Sequence, residues 1–326
     1  MVRRPWPAFG TQGHTRARIN SRLETQHSKP QLKVWTSVEL IRWTADYLAE
    51  KGFPDSRLNA ELLLAGVLGV KRLDLYLQFE RPLAAEELAE FKSRLKRRVR
   101  HEPLQYIAGT AQFRDLLLSV DPRVLIPRPE TELLVGEVLA WSARRSAGDV
   151  LDLGTGSGAI ALSLRQEGTF GRIVATDVSE DALQLARANL SANLPGMDVD
   201  FRQGSLFAPV QGERFDIIVS NPPYVGERER DGLAREVVDW EPAAALFSGS
   251  DGLDVIREIV ANAPEFLHPG GLLALEIGAT QAHEVAGMVR HGPSFGEPIV
   301  RCDLAGRDRI VLAALSDTGD PVGHPG

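Results

Sequence analysis

The chain has 326 residues, 43% hydrophobic and 25% charged, with a formal net charge of −7. These values fit a globular protein with one main domain and a smaller one, and they argue against a protein that coats nucleic acid without sequence preference. Cys302 is the single cysteine, which excludes an internal disulfide and a cysteine-cluster metal site and fits a reducing, cytoplasmic setting. The seven histidines form no His-x-x-x-His pair, so no metal is expected. No apolar run approaches the roughly 18 residues that span a bilayer.

Residues 1–33 are basic. Within residues 1–30, Arg3, Arg4, Arg16, Arg18, Arg22 and Lys29 face only Glu24, and no apolar period is sustained. Such a stretch buries too little surface to offset its ordering entropy, so it is read as a disordered tail. A transit peptide or a nucleic-acid arm is the alternative. From Val34, the pattern of Trp35, Val38, Leu40, Ile41 and Leu48 predicts a helix capped by Thr36 or Ser37. Gly52-Phe53-Pro54 breaks it, and a second helix runs from Asp55-Ser56 to near Gly69. A short segment, 73–77, precedes a long helix over about residues 84–100. That helix is acidic at its start (Glu86, Glu87, Glu90) and basic at its end (Lys92, Arg94, Lys96, Arg97, Arg98, Arg100), as the helix dipole favours. The basic end is read as a solvated terminus, with an RNA contact as the alternative. Residues 34–102 thus form a helical domain. Residues 103–130 are a linker in which runs 113–120 and 124–127 pair as a hairpin around Asp121-Pro122. Residues 131–314 form the main domain, which opens on a helix.

Strand 149–153 leads into Gly154-Thr155-Gly156-Ser157-Gly158, and Ala159 opens a helix. Glycines at a strand-to-helix turn let the backbone approach a ligand and present N–H groups to it. Gly154, Gly156 and Ala159 also satisfy the dinucleotide pattern G-x-G-x-x-A. A second strand, 172–176, ends at Asp177, about 20 residues past the loop, where a carboxylate accepts ribose hydroxyls. NAD and S-adenosylmethionine both carry such a ribose. Asp177 also suits the N-cap of the helix over 179–190. After strand 199–201, the loop Gly204-Ser205-Leu206-Phe207 is placed beside a cofactor base, with Leu206 or Phe207 as its apolar wall.

The strand Phe215-Asp216-Ile217-Ile218-Val219-Ser220 runs into Asn221-Pro222-Pro223-Tyr224. Ligands lie beyond the carboxyl ends of parallel strands, so this motif stands where chemistry occurs. The Asn221 side-chain oxygen and the Pro222 carbonyl are acceptors, and the two prolines stiffen the backbone that aims them. Together they can hold both N–H groups of an amide or arylamine and stabilise the positive charge that grows on its nitrogen. Tyr224 offers a flat face to such a group. A plain strand-ending turn is the alternative. Residues 225–254 are read as a lid or substrate-contacting loop. A helix over 253–266 follows, then strand 272–277, whose Glu276 is read as a half-exposed strand-end acid. After a helix over 282–289, strands 299–302 and 309–312 are too close for a crossover and pair antiparallel. A parallel sheet closed by an antiparallel hairpin is the shape of a Rossmann-like methyltransferase, whereas dehydrogenases continue the parallel winding. Residues 315–326 are a Gly/Pro/Asp tail.

Together these residues resemble the peptide chain release factor glutamine-N5 methyltransferases, the protein-(glutamine-N5) methyltransferase family. The resemblance covers about residues 35–314. It rests on Glu102-Pro103-Leu104-Gln105-Tyr106-Ile107, Leu125-Ile126-Pro127-Arg128-Pro129-Glu130-Thr131-Glu132, 151–158 and 220–224, with Glu241-Pro242, Asp251-Gly252-Leu253 and Glu276-Ile277-Gly278. It implies an α/β class I methyltransferase sheet, S-adenosyl-L-methionine as donor, and the glutamine of the Gly-Gly-Gln motif of class I release factors as acceptor. It further implies that Gly154, Thr155, Gly156, Ser157, Gly158, Asp177, Leu206 and Asn221 bind the cofactor. Asn221, Pro222, Pro223 and Tyr224 would hold the glutamine, with Asn221, Pro222 and Tyr224 catalytic. The family pattern has an acid where this chain has Ser205, and it has no counterpart of residues 1–33. Three rival readings stand beside it: an adenine-N6 methyltransferase, disfavoured by the acidic charge; an NAD-dependent oxidoreductase, which leaves residues 221–224 without a task; and a non-enzymatic scaffold on the translation apparatus. No DNA or membrane partner is expected.

Overall fold

The computed structural model describes residues 34–145, 148–292 and 295–316. The tails expected over 1–33 and 317–326 lie outside the described residues. Leu315, placed in the tail by its sequence, is buried and bridges Phe295. The chain divides into two compact units between Leu95 and Lys96, inside the third long helix rather than after it.

The first unit is helical. Helix Ser37–Glu50 starts in a capping box: the Thr36 hydroxyl accepts the Glu39 N–H, and the Glu39 carboxylate accepts the Thr36 N–H. Helix Ser56–Leu68 ends at Gly69 in the left-handed conformation that glycine tolerates. Their apolar faces bury Leu40, Ile41, Leu48, Leu63 and Leu64. The short segment is a 3₁₀ helix, Arg72–Leu77, and the long helix is Ala85–Val99.

The second unit opens with helix Leu104–Ala108 and a two-stranded sheet, β1 (Thr110–Phe113) and β2 (Leu116–Ser119). Phe113 pairs with Leu116 across Arg114-Asp115, with Arg114 in the left-handed region. The hairpin therefore closes inside the run expected to be one strand, and residues 124–127 form none. A local two-residue turn leaves no role for a distant partner, and Pro122 could donate nothing to a ladder. Val124 and Ile126 instead pack beside buried Tyr106, whose hydroxyl donates to the Val124 carbonyl at 2.5 Å.

The main sheet has seven strands: β3 (Val150–Leu153), β4 (Ile173–Asp177), β5 (Asp200–Gln203), β6 (Phe215–Ser220), β7 (Leu267–Glu276), β8 (Ile299–Cys302) and β9 (Asp308–Ala314). Their order is β5-β4-β3-β6-β7-β9-β8, parallel as far as β7 and antiparallel at β9 and β8, as the sequence predicts. Both faces are covered, so the central strands read as apolar runs without alternation. Leu151, Ile218 and Leu273 meet helices Asp254–Phe266 and Ala282–His291. Val150, Ile217 and Leu272 meet helices Pro129–Ser142 and Ala159–Glu167.

The basic end of helix Ala85–Val99 is not simply solvated. Buried Arg98 donates to the Glu102 carbonyl and pairs with Glu236 at 2.6 Å, and Arg97 grips Glu102 with two hydrogen bonds. Among the described residues, no helix is long and apolar enough to cross a membrane.

Candidate active site

Strands β3 and β6 are parallel neighbours in a register that sets Leu153 beside Ser220. The Ser220 hydroxyl donates to the Leu153 carbonyl at 2.7 Å. Gly154 and Asn221 therefore leave the sheet side by side. The chain winds from β3 toward β4 on one side, and β6 lies on the other. This is the switch point at which open α/β sheets place ligands.

The glycine loop is pinned beneath: the N–H groups of Gly154 and Thr155 both donate to the Thr176 carbonyl, at 2.9 and 3.0 Å. Gly154 (φ +73°) and Gly156 (φ +55°) take the left-handed conformation, and a Cβ on either would meet nothing within 4 Å. Their backbone faces open space. Thr155 and Ser157 are buried, and the Thr155 hydroxyl donates to Asp152 Oδ2 at 2.6 Å. The loop thus offers backbone to a ligand rather than that hydroxyl.

Asp152 is a residue that the sequence reading took only as part of a strand. It is fully buried; Oδ2 also accepts the Ala161 N–H, and Oδ1 meets no donor among the described residues. Burial pushes its carboxyl up to about 7. Asp177 accepts the Gly156 N–H on one oxygen and the Ser179 N–H on the other, each at 2.9 Å. The N-cap of the following helix is Ser179, whose hydroxyl accepts the Ala182 N–H. Each Asp177 oxygen keeps a further lone pair. Burial raises its carboxyl above the ordinary range. Open backbone between two carboxylates with spare acceptor capacity fits S-adenosyl-L-methionine, which carries an ammonium group and ribose hydroxyls as donors.

Leu206 sits at φ +44°, half-buried, and its carbonyl accepts the Thr176 hydroxyl at 3.3 Å. Phe207 is buried and stacked on Phe266 with ring centroids 4.5 Å apart. Of the two candidates for an apolar wall, Phe207 is core and Leu206 remains.

At the motif, Asn221 Nδ2 donates to Thr131 Oγ1 at 2.9 Å, and Thr131 Oγ1 donates to Glu276 Oε2 at 2.7 Å. The Tyr224 hydroxyl donates to Glu276 Oε1 at 3.3 Å. Asn221 Oδ1 is buried and meets no donor among the described residues, and none meets the Pro222 carbonyl. Pro222 itself is buried, with Pro223 and Tyr224 half-buried. Glu276 corrects the reading of a half-exposed acid. It is wholly buried, because β7 is flanked by β6 and β9 and its last residue still pairs with Ile310. Burial pushes its carboxyl up to about 7, opposed by the donors Thr131 and Tyr224 and the charge of Arg309. Burial beside this carboxylate also raises the Tyr224 hydroxyl.

Residues 225–254 contain short helices, Glu227–Gly232, Arg235–Val238 and Ala243–Leu246, and are tied down at several points. Val225 bonds Leu246 and Ser248 through the backbone, and buried Glu241 accepts Arg128 on both oxygens at 2.7 Å. The Tyr224 carbonyl accepts Gln281 Nε2 at 2.9 Å. Gly252 (φ +79°) packs so closely that a Cβ would lie 2.1 Å from that carbonyl oxygen. Gly252→Ala is expected to displace Tyr224 and to cost about 1–3 kcal/mol through backbone strain, read by chemical denaturation. Wild-type stability together with wild-type activity would show that the contact relaxes freely.

Residues 39–109 match the PrmC N-terminal domain family, and residues 130–249 match the methyltransferase small domain family. The chain is 44% identical over 283 residues to a release factor glutamine methyltransferase of Geobacter sulfurreducens, covering 87% of this chain and 97% of that protein. It is 43% identical over 289 residues to the protein of the same description from Chlorobaculum tepidum, covering 86% and 97%. A third, from Rhodopirellula baltica, is 35% identical over 294 residues, covering 88% and 98%. A solved methyltransferase from Pyrococcus furiosus superposes with a TM-score of 0.45 at 20% identity, over 61% of this chain and 88% of that one. At this identity and coverage among the curated relatives, the chain belongs to the release factor glutamine methyltransferase family.

Proposed function

We propose that the protein methylates the side-chain amide nitrogen (N5) of the glutamine in the Gly-Gly-Gln motif of class I peptide chain release factors, with S-adenosyl-L-methionine as donor. The observation that carries this reading is Asn221 Oδ1, a buried acceptor that meets no donor among the described residues, next in the chain to the Pro222 carbonyl, which meets none among them either. An orphaned buried acceptor costs stability, and a ligand N–H relieves that cost. A primary amide supplies two N–H groups for the two oxygens. When bound, the cofactor supplies a methyl group on a positively charged sulfur. The backbone at Gly154 and Gly156 and the carboxylates of Asp152 and Asp177 hold it. Asn221 and Pro222 turn the amide nitrogen toward it and stabilise the positive charge that builds there. Tyr224, with Pro223, packs on the amide plane. The nitrogen then loses its proton to water, so no side chain acts as a general base. The acceptors supply orientation, the effect worth up to about 7–11 kcal/mol for aligned reactants.

The helical residues 34–102 engage the release factor, residues 103–130 link them to the methyltransferase domain at 131–314, and the enzyme works in the cytoplasm. The test is mass spectrometry of the Gly-Gly-Gln peptide after incubation with labelled cofactor, alongside labelled DNA. A gain of one methyl on the glutamine supports the assignment; label only in DNA overturns it. Asp177→Ala is expected to weaken cofactor binding by about 1.5–3 kcal/mol in calorimetry, the range for a hydrogen bond to a charged group. Unchanged affinity would limit Asp177 to bracing the Gly156 turn.

A further inference from the structure

We propose that Glu276, acting through the Thr131 hydroxyl, decides which end of the Asn221 carboxamide faces the substrate. This rests on the assignment of Asn221 as the amide-binding residue and adds two positioning residues to it.

The oxygen and the nitrogen of a carboxamide have nearly the same size, so packing alone does not orient it; its hydrogen-bond partners do. An ionised Glu276 can only accept. The single proton of Thr131 Oγ1 is therefore given to Glu276 Oε2, 2.7 Å away. The Thr131 oxygen is left as an acceptor and takes Asn221 Nδ2 at 2.9 Å. The Asn221 oxygen is what remains, buried and without a donor among the described residues. Turning the carboxamide over would set its oxygen against a hydroxyl whose proton is already committed. It would also point an NH₂ group at a substrate that brings N–H groups of its own. Tyr224 hangs on the other oxygen of the same carboxylate at 3.3 Å, so one buried acid aims both polar ends of the motif.

The arrangement is a switch. A protonated Glu276 can donate to Thr131 Oγ1, which frees the Thr131 proton to point at a reversed Asn221. The groups that act on this carboxyl are Thr131 and Glu130 from helix Pro129–Ser142, Tyr224 beyond β6, and Arg309 from β9. Burial raises the carboxyl to about 7, so the aiming is half lost near that pH, strengthens above it and fades below it.

The experiment measures kcat and KM against pH with saturating cofactor for the wild type, Thr131→Ser, Thr131→Val and Glu276→Gln. Wild-type kcat should fall about tenfold per pH unit below about pH 7, with cofactor kept saturating at each pH. Thr131→Val, which keeps shape but removes the relay, should lower kcat about 10–100-fold, the loss of one hydrogen bond to a charged group. Thr131→Ser should retain kcat within about threefold. Glu276→Gln cannot switch by protonation, so it should be slower and flat across the same pH range. If Thr131→Val fails to fold, the wild-type and Glu276→Gln profiles still decide. Equal acid limbs in those two, or wild-type kcat in Thr131→Val, overturn the proposal. Those results beside an inactive Asn221→Ala would sink the relay alone, whereas an active Asn221→Ala would sink the assignment beneath it.

Discussion

Asn221→Ala is expected to lower kcat for release factor by about 10²–10³, or about 2.7–4 kcal/mol of transition-state stabilisation, the cost of losing one oriented dipole at a site of developing charge. The substitution removes the side-chain oxygen of the motif that meets no donor among the described residues, and it also strips Thr131 of the N–H it accepts. Cofactor binding should change far less, because the groups proposed to hold it, the open glycine backbone, Asp152 and Asp177, make their own hydrogen bonds away from this side chain. Single-turnover assays with saturating cofactor, paired with calorimetry, separate the two effects. Turnover within about fivefold of wild type would mean that the amide is aimed by some other group. A loss confined to cofactor affinity would move Asn221 from the acceptor side of the site to the donor side.

What the sequence made legible follows from the range over which each signal acts. The strands β3, β4, β6 and β7 announce themselves as apolar runs because both faces of the sheet are covered, and the glycine loop and the Asn-Pro-Pro-Tyr turn follow directly on two of them. The antiparallel end was readable from the short link before β9. Pairings made across the fold left no such trace. Glu276 looks like any acid at a strand end; its burial depends on β9 running alongside to Ile310, 34 residues further along the chain. Thr131 was visible only as part of a helix start, yet its hydroxyl lies between Asn221 and Glu276, 90 and 145 residues away. Arg128 and Glu241 likewise meet across 113 residues. The hairpin was misplaced for the opposite reason: a two-residue turn at Arg114-Asp115, with Arg114 in a conformation that arginine seldom adopts, carries no glycine or asparagine to mark it. Phe207 shows the same limit, since a loop aromatic reads equally as a ligand wall or as the core residue it is.

The second large effect is on stability, at Arg128. This guanidinium donates to both oxygens of Glu241, whose side chain is 2% exposed, while Arg128 itself is 30% exposed. Arg128→Met keeps the apolar stem and leaves the carboxylate buried and uncompensated, a class of change that costs about 3–5 kcal/mol. Water reaches the arginine side, which places the loss near about 3 kcal/mol, or about 6–12 °C in Tm for a unit of this size. The loss carries a pH signature. Burial already raises the Glu241 carboxyl, and Arg128 opposes that rise. Without the arginine the folded-state value climbs further. A carboxyl raised in the folded state contributes stability that is present below its unfolded value and lost as pH rises through its folded value. The gap between variant and wild type should therefore be widest at pH 8 and narrow toward pH 5, where Glu241 takes up a proton. Adding Glu241→Gln should recover most of the loss at pH 8, since a neutral amide tolerates the absent partner. Thermal unfolding of the two variants and the wild type at both pH values reads this directly. A gap equal at pH 8 and pH 5, or a double variant no better than the single one, would show that Arg128 stabilises the segment by packing and not by charge. Because Arg128 is the N-cap of the helix that carries Thr131, any activity lost beyond the fraction unfolded measures how tightly the relay to Asn221 depends on that anchor.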